Sequence, residues 1–523
     1  MARPADRLAE SLKVLQTLQE EGVTAIKSST LTRTHRERLL RNGFLQEVIK
    51  GWYIPTRPDD ASGDSTAWYA SFWNFCAAYL TARFRDKWSL SPEQSLLLHA
   101  SNRAVPRQLL VRADGARNKV TALTHGTSIL EVRARRAETK EIVVIDGLRL
   151  FSLPAALVSS AARTFHQYPT DTRAAIALIR DASELLSRLL ENGQPAAAGR
   201  LAGALRNIGR DRVADQLLSA MRAAGFKVTE ENPFDDSMTL APPERERSPY
   251  VNRIHLMWQA MRQTVIDHFP DPPKRPPVSK VYLKAVDDVY VTDAYHSLSI
   301  EGYRVSAGLV ERVRSGRWNP DLSAADREQR NALAARGYWL AFLAVEKSLK
   351  RILNADNAGT VADEDHGTWY RQLFAPSVEA GMLRAADLAG YRNGQVYIRR
   401  SMHVPLKHEA VLDAMPAFFQ LLRDEPSPAV RAVLGHFVFV YIHPYMDGNG
   451  RLGRFLMNLM LASGGYPWTV IPVEQRASYM SALESASVDQ KIAPLAKFLG
   501  KLVRAGLDGK PTAKVTRSVT DQG

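Results

Sequence analysis

Residues 440–455, VYIHPYMDGNGRLGRF, place glycines and charged side chains between two apolar runs. The run before this stretch, AVRAVLGHFVFVYI, and the run after it, RFLMNLMLASGG, both have the composition of buried helices. We therefore predict a loop between two core helices. Its far end is the N-terminus of a helix, where unpaired backbone N–H groups and the helix dipole attract anions.

The residues at this predicted helix N-terminus suit phosphate binding. Gly448 and Gly450 allow backbone conformations in which successive N–H groups point into one concavity. Arg451 and Arg454 are three residues apart in the first helical turn, so both guanidinium groups can face that concavity. The sequence thus predicts a site for a nucleotide triphosphate.

Two further residues of the loop carry chemistry. Asp447 offers the hard oxygen ligands that suit Mg²⁺ bridging two phosphates. His443 can accept a proton near neutral pH. Together with the predicted phosphate site, they indicate the activation of a hydroxyl group beside a bound nucleotide.

The pattern HPYMDGNGRLGR at residues 443–454 resembles the signature of the Fic family, HPFx(D/E)GNGRxxR, and departs from its core only at Tyr445. The resemblance covers about residues 250–500. It implies transfer of AMP from ATP, with Mg²⁺ as cofactor, to a hydroxyl side chain of a target protein. The resemblance implies that His443 is the base that takes the hydroxyl proton and that Asp447 is the metal ligand. It also implies that Gly448, Asn449 and Gly450 form the anion hole, and that Arg451 and Arg454 clamp the β- and γ-phosphates.

A second resemblance lies upstream, where residues 297–302 read SLSIEG. This is similar to the inhibitory motif of the family, (S/T)xxxE(G/N), and assigns its positions to Ser297, Glu301 and Gly302. The resemblance implies that Glu301 pairs with Arg454 and withdraws it from the γ-phosphate. In some relatives the same glutamate supports removal of AMP, so a net deAMPylase stays open as an alternative.

Residues 391–405, YRNGQVYIRRSMHVP, are predicted to form a β-hairpin. This stretch resembles the flap of the family. The resemblance implies that an exposed strand edge near residues 395–400 holds the target segment by main-chain pairing.

The first sixty residues predict a helix over 6–21, a basic helix, and a hairpin around Gly51. This order resembles a winged helix-turn-helix and the N-terminal module of AbiEi-like antitoxins. The implied partner is DNA, and its contacts would come from the basic helix at Arg33, His35, Arg36 and Arg38. A solvated helix face is the alternative interpretation of these charges.

The predicted fold class is multidomain: an N-terminal winged helix-turn-helix and α+β region, followed by an all-α Fic core with a small β-hairpin flap. The predicted domains, in chain order, are a winged-helix module at 1–58, a mixed α+β regulatory domain at 59–231, a linker at 232–248, the Fic domain with its inhibitory helix at 249–505, and a disordered tail at 506–523.

The composition indicates which partners and which cellular compartment to expect. The 523 residues carry a formal net charge of +14, which favours a polyanionic partner. The single cysteine, Cys76, excludes an internal disulfide and suits a reducing compartment. No signal peptide or membrane span is evident, so we expect a cytoplasmic protein without a membrane partner. A homodimer stays open.

Two hypotheses from different classes result. The first is a self-restrained protein adenylyltransferase that acts on another protein or on itself. The second is a DNA-binding regulator or antitoxin-like repressor whose Fic domain senses nucleotide. The complete loop favours the first hypothesis, because a nucleotide sensor needs the anion hole but not His443.

Overall fold

The computed structural model describes residues 4–58, 64–134, 137–234, 248–273, 279–316 and 329–515. The contacts between residues divide the chain into two compact units. Unit 1 comprises Met1–Leu256 and Tyr397–Val404, and unit 2 comprises Met257–Val396 and Pro405–Gly523. Most of the predicted linker at 232–248 and the end of the predicted tail at 506–523 lie outside the described residues.

Unit 1 begins with two helices and a three-stranded antiparallel sheet. In chain order these elements are α1 (Pro4–Glu20), β1 (Ile26–Lys27), α2 (Arg33–Arg41), β2 (Leu45–Ile49) and β3 (Trp52–Pro55). The strand order is β1-β3-β2, and Gly51 makes the turn of the hairpin at φ 82°. The predicted helices and hairpin are therefore confirmed. The identification of this region as a winged helix stays a prediction.

The next part of unit 1 is the predicted α+β region. It contains α3 (Thr66–Phe84), β4 (Trp88–Leu90), α4 (Pro92–His99), β5 (Gln108–Ala113), β6 (Lys119–Ala122), β7 (Ser128–Arg133), β8 (Ile142–Ile145) and β9 (Leu148–Phe151). One sheet has the order β4-β5-β7-β6, with β5 and β7 parallel, and β8 pairs with β9 as a hairpin. Helix α3 is nearly all apolar because it packs in the core of this region.

Short helices complete the sequence of this region. They are α5 (Leu153–Ser159), α6 (Ala162–Gln167), α7 (Pro169–Ala177), α8 (Ser183–Glu191), α9 (Pro195–Asn207) and α10 (Asp211–Ala223). Their apolar faces share one core of alanine, leucine and isoleucine side chains.

The remaining elements are helices, as predicted for the Fic core. They are α11 (Pro249–His268), α12 (Ser279–Ile300), α13 (Ala307–Arg314), α14 (Gln329–Leu353), α15 (Ala358–Glu379), α16 (His408–Asp424), α17 (Pro428–Ile442), α18 (Asn449–Ala462), α19 (Arg476–Val488) and α20 (Ala493–Leu507). The division between the two units falls within α11. In the described part of the chain, no helix is both long enough and apolar enough to cross a bilayer.

The predicted β-hairpin at 391–405 is wrong, because these residues form turns and extended backbone without a strand. Other groups bind the main chain there. Arg392 donates to the carbonyl oxygens of Gly394 and Leu406, and the Gln395 side chain donates to that of Pro405. Within this stretch, the carbonyl groups of Gly394 and Pro405 are therefore bound by side chains and not by a partner strand.

Residues 397–404 belong to unit 1 rather than to the unit that precedes and follows them in sequence. The Arg399 side chain donates to Asp64 at 3.0 Å, and the Arg400 N–H donates to the Thr66 hydroxyl at 3.0 Å. The Met402 carbonyl accepts from the Val105 N–H at 2.9 Å. This stretch therefore has tertiary partners that its local sequence pattern does not reveal.

Candidate active site

The loop between α17 and α18 reverses the chain through two residues in the left-handed region. His443 caps α17 at φ 55° and ψ 62°, and Gly448 precedes α18 at φ 81°. A Cβ atom at position 448 would lie 2.9 Å from Cδ2 of Leu373 and 3.0 Å from Cε2 of Phe374. Glycine is thus required at 448 both by backbone conformation and by space.

Asn449 braces the loop from inside. Its Oδ1 accepts from the Tyr445 N–H at 2.9 Å, and its Nδ2 donates to the Tyr445 carbonyl at 2.8 Å. Asn449 is 1% exposed. Since both polar atoms of its side chain have these partners, only its main-chain N–H stays available for the α-phosphate contact predicted for Asn449.

Arg392 braces the loop from the other side, a role that sequence analysis missed. Its Nε donates to the His443 carbonyl at 2.8 Å, and its N–H donates to the Pro444 carbonyl at 2.9 Å. It is buried despite its charge. The only signal in sequence was an arginine inside the stretch that resembles the flap, and nothing there indicated its distant partner.

Tyr445, the one departure from the family signature, lies in an aromatic cluster. Its ring stacks on that of Tyr370, with 3.9 Å between centroids, and lies near the rings of Tyr391 and His366. The ring is buried, and burial raises the pKa of its hydroxyl. The tyrosine therefore serves the packing role that an aromatic side chain has at this position.

His443 is oriented by its own helix. Its Nδ1 lies 3.1 Å from the Val440 carbonyl oxygen, which assigns the proton to Nδ1 and leaves Nε2 as the basic atom. Burial lowers the pKa of His443 to about 4, although the Val440 carbonyl acts in the opposite direction. The imidazole is therefore neutral and able to accept a proton throughout the physiological range.

The first turn of α18 faces a carboxylate instead of open space. A Cβ atom at Gly450 would lie 2.2 Å from Oε1 of Glu301, so the carboxylate packs directly on the Gly450 backbone. Main-chain N–H groups in the first turn of a helix have no acceptor within that helix. The Glu301 carboxylate thus occupies the place in which this helix N-terminus would hold another anion.

Glu301 also pairs with Arg454, as the resemblance implied. Nη2 of Arg454 lies 2.7 Å from Oε1 of Glu301 and donates to the Ser297 carbonyl at 3.0 Å, while its Nε donates to the Ser297 hydroxyl at 2.9 Å. Burial alone would raise the pKa of Glu301, but Arg454 and then Arg451 outweigh burial and lower it. The carboxylate is therefore charged at neutral pH.

Gly302 sets the position of Glu301 at the end of α12. The Tyr303 N–H donates to the Leu298 carbonyl at 3.1 Å, and the Gly302 N–H donates to the Ser299 carbonyl at 3.0 Å. With Gly302 at φ 89°, these two bonds form a Schellman motif. The glycine of the predicted inhibitory motif is thus explained by a helix C-cap.

Behind the Glu301–Arg454 pair lies a second carboxylate, Asp293, which sequence analysis did not single out. It lies two helical turns before Glu301 and accepts from the Tyr338 hydroxyl at 2.7 Å. Burial raises the pKa of Asp293 to about 6, against the opposing effects of Tyr338 and Arg454. A signal was present, because residues 293, 297 and 301 share one face of a helix.

Asp447 lies on the open side of the loop, next to the buried Arg451. The Asp447 side chain is 66% exposed, and its Oδ2 lies 3.3 Å from Nη2 of Arg451. Its Oδ1 accepts from the Gly448 N–H at 2.6 Å. Among the residues that the structure describes, no group of three or more histidine, cysteine or acidic side chains could form a complete metal site.

The basic residues of α2 are not collected into a comparable site. Arg33 is exposed and pairs with Glu37 at 2.6 Å. Arg36 donates to the Ser28 carbonyl, Arg38 donates to the Ser11 hydroxyl at 2.8 Å, and Nδ1 of His35 lies 2.9 Å from the same hydroxyl. The contacts of Arg38 and His35 with Ser11 connect α2 to α1, and DNA binding by this helix stays a prediction.

The second unit is thus a helical domain in which the Glu301 carboxylate lies against the helix N-terminus that follows the His443 loop. Residues 364–461 match the model of the Fic/DOC family and are a Fic domain.

Relatives with curated names match over the same part of the chain. "Protein adenylyltransferase fic-1" of Caenorhabditis elegans is 28% identical over 227 residues, which are 42% of this chain and 41% of the relative. "Protein adenylyltransferase Fic" of Drosophila virilis is 29% identical over 229 residues, 43% of each chain. This chain therefore spans about two-fifths of the length of the curated relatives it matches.

Among solved structures, residues 134–508 of Fic-1 from C. elegans cover 68% of this chain and 90% of that chain, with 19% identity and a TM-score of 0.37. A Fic-family protein from Desulfovibrio desulfuricans covers 49% of this chain and 79% of its own, with 19% identity and a TM-score of 0.32.

Proposed function

We propose that this protein is a protein adenylyltransferase that moves AMP from ATP to a hydroxyl group of a target protein, and that Glu301 restrains the reaction. The observation that carries the proposal is the Glu301 carboxylate, which lies on the first turn of α18 and pairs with Arg454 at 2.7 Å. A carboxylate held there supports the assignment of this site to an anion. The curated names of the matching relatives support AMP transfer as the chemistry.

In this proposal, Nε2 of His443 accepts the proton of the target hydroxyl as its oxygen attacks the α-phosphorus of ATP. The new bond joins the hydroxyl oxygen to the α-phosphorus. The bond from that phosphorus to the oxygen bridging to the β-phosphate breaks, and pyrophosphate leaves. Nδ1 of His443 stays bound to the Val440 carbonyl, which keeps the basic atom in place.

The phosphates would take the place that Glu301 now holds. Main-chain N–H groups at Gly448, Asn449 and Gly450 would surround the α-phosphate, because their glycine-rich backbone allows close approach. Arg451 and Arg454 would bind the β- and γ-phosphates through charge-assisted hydrogen bonds. The contribution of the protein is positioning and electrostatic stabilisation.

The residues present fit a magnesium ion. Mg²⁺ in nucleotide sites is held by one or two carboxylates together with phosphate oxygens and water, and does not need a cage of protein ligands. Asp447 is the exposed carboxylate beside the phosphate site, and its oxygens keep free lone pairs. When bound, the ion would neutralise charge on the α- and β-phosphates.

The restraint follows from competition for one guanidinium group. In this structure Arg454 directs Nη2 and Nε at Glu301 and Ser297. A γ-phosphate in the reactive arrangement would require the same donors. Because a hydrogen bond to a charged group contributes about 1.5–3 kcal/mol, releasing Glu301 should change the populations of the two arrangements by roughly ten- to a hundredfold.

The test is AMP transfer in three full-length proteins: wild type, Glu301→Gly, and Glu301→Gly combined with His443→Ala. Each is incubated with MgATP labelled on the α-phosphate in host lysate, and the intact mass of the protein itself is recorded. We expect strong labelling only in the single variant. The proposal is lost if the single and double variants label proteins equally. Faster release of AMP from pre-labelled protein would assign the reverse direction.

A further inference from the structure

Arg451 is held between two aromatic rings that the Fic signature does not contain. Its Cζ atom lies 5.2 Å from the centroid of the Tyr303 ring and 5.2 Å from that of the Phe374 ring. Arg451 is 1% exposed. Its Nε has no hydrogen-bond acceptor among the described residues.

This arrangement leaves the guanidinium group with an unmet requirement. Rings over its faces stabilise the cation but accept no N–H bond, so its donating edge stays free. A buried donor without an acceptor is unfavourable, because it has lost its hydrogen bonds to water. A phosphate oxygen at this edge would provide the missing acceptor, whereas the Asp447 carboxylate lies 3.3 Å from a different nitrogen, Nη2.

The Phe374 ring is held by packing, and Tyr303 is held through its main chain. Phe374, in α15, would lie 3.0 Å from a Cβ atom at Gly448, and its ring packs on Tyr370 with 5.4 Å between centroids. Tyr303 follows the helix C-cap at Gly302 and is tied by its N–H to Leu298. The position of Arg451 is thus set from both sides before any ligand binds.

We infer that Tyr303 is a positioning residue for the nucleotide: with Phe374 it holds the Arg451 guanidinium ready for the β-phosphate. This inference rests on the proposed function. Residues of one helix C-cap then have opposite effects, because Glu301 withdraws Arg454 from the phosphates while Tyr303 prepares Arg451 for them. Removing Tyr303 weakens binding of the β-phosphate, whereas removing Glu301 releases the reaction.

The experiment measures binding of MgATP, MgADP and AMP to the full-length protein by titration calorimetry. Tyr303→Leu removes the ring and is expected to weaken MgATP and MgADP binding about three- to tenfold. Binding of AMP, which lacks the β-phosphate, should change less than twofold. Tyr303→Phe keeps the ring and should restore wild-type affinities. Arg330→Gln is the matched control, because the exposed Arg330 lies 5.7 Å from the same ring.

Several outcomes would overturn the inference. One is unchanged MgADP affinity in Tyr303→Leu, and another is an equal loss for AMP, which would indicate a general disturbance of the site. Failure of Tyr303→Phe to restore binding would also overturn it. If wild type transfers AMP while the leucine variant binds normally, only the inference fails. If wild type binds none of the three nucleotides, the proposed function fails with it.

Discussion

Helix α2 and the first turn of α18 both carry arginines in short basic stretches, yet their donors have different partners. In α2, Arg36 and Arg38 bind carbonyl and hydroxyl groups of neighbouring elements. In α18, Arg451 keeps a buried donor for which the described part of the chain offers no acceptor, and Arg454 pairs with the Glu301 carboxylate. The comparison teaches that a basic stretch indicates an anion site only where the fold leaves donors unused or reversibly occupied.

The largest expected effect lies at the α18 site. In the Glu301→Gly background, His443→Ala should lower the rate of AMP transfer by roughly 10²–10⁴-fold, because it removes the general base. MgATP affinity should stay within twofold, since the imidazole does not bind the phosphates. The rate is measured with labelled ATP and the affinity by calorimetry. A large loss of MgATP affinity would instead identify His443 as a residue that binds the nucleotide.

The pH dependence of AMP transfer is a second test of the same site. Burial lowers the pKa of His443 to about 4, so the basic form persists as the pH falls from neutral. We expect kcat/KM for AMP transfer by Glu301→Gly to decline on the acidic side near pH 4 to 5. A decline centred near the ordinary histidine pKa of about 6.5 would contradict the burial of this side chain.

The lack of space around Gly448 should make the protein less stable when a larger residue replaces this glycine. Gly448→Ala must adopt a positive φ and also fit a methyl group 2.9 Å from Leu373, and we expect it to lower the free energy of unfolding by about 2–4 kcal/mol. Gly381→Ala is the matched control, because Gly381 has a φ of +68° with nothing within 4 Å of its added Cβ. It should cost about 1–2 kcal/mol. Equal losses in urea denaturation would show that Leu373 and Phe374 move aside.

The smallest effects concern α2. Arg38→Ala removes contacts with α1 and should lower the free energy of unfolding by about 1 kcal/mol, whereas Arg33→Ala should leave the thermal midpoint unchanged. The salt dependence of binding to duplex DNA decides between DNA contact and a solvated helix face, and an unchanged slope in both variants would favour the solvated face. If both reduce the slope of log affinity against log salt by about one, these side chains contact phosphates and the two basic regions are alike.

Sequence analysis described the geometry best where the candidate site is built from adjacent residues. The loop from His443 to Arg454 forms one site because its members are neighbours in sequence, and Glu301 was found through its own short motif. Arg392 and Phe374 were missed, since each acts through contacts with residues far away in sequence. No local pattern indicates that a charged side chain will be buried against a distant carbonyl.

The predicted hairpin at 391–405 was wrong for the same physical reason. Its alternating pattern suits a strand, but side chains of Arg392 and Gln395 bind the carbonyl groups that a ladder would use. Tertiary partners outweighed a weak local preference. In contrast, the hairpin around Gly51 formed as predicted, because a glycine at φ 82° provides the turn within the segment itself.

Residues 397–404 have a consequence for how the polypeptide can be shortened. They are inserted between two parts of unit 2, but Val404 is buried in the core formed by α3 and its neighbouring strands. A polypeptide starting at Met257 would lose Asp64 and Val105, the partners of Arg399 and Met402. The two units therefore alternate along the chain. A fragment that contains only unit 2 would need a redesigned segment at residues 397–404 before its stability could be compared with that of the full chain.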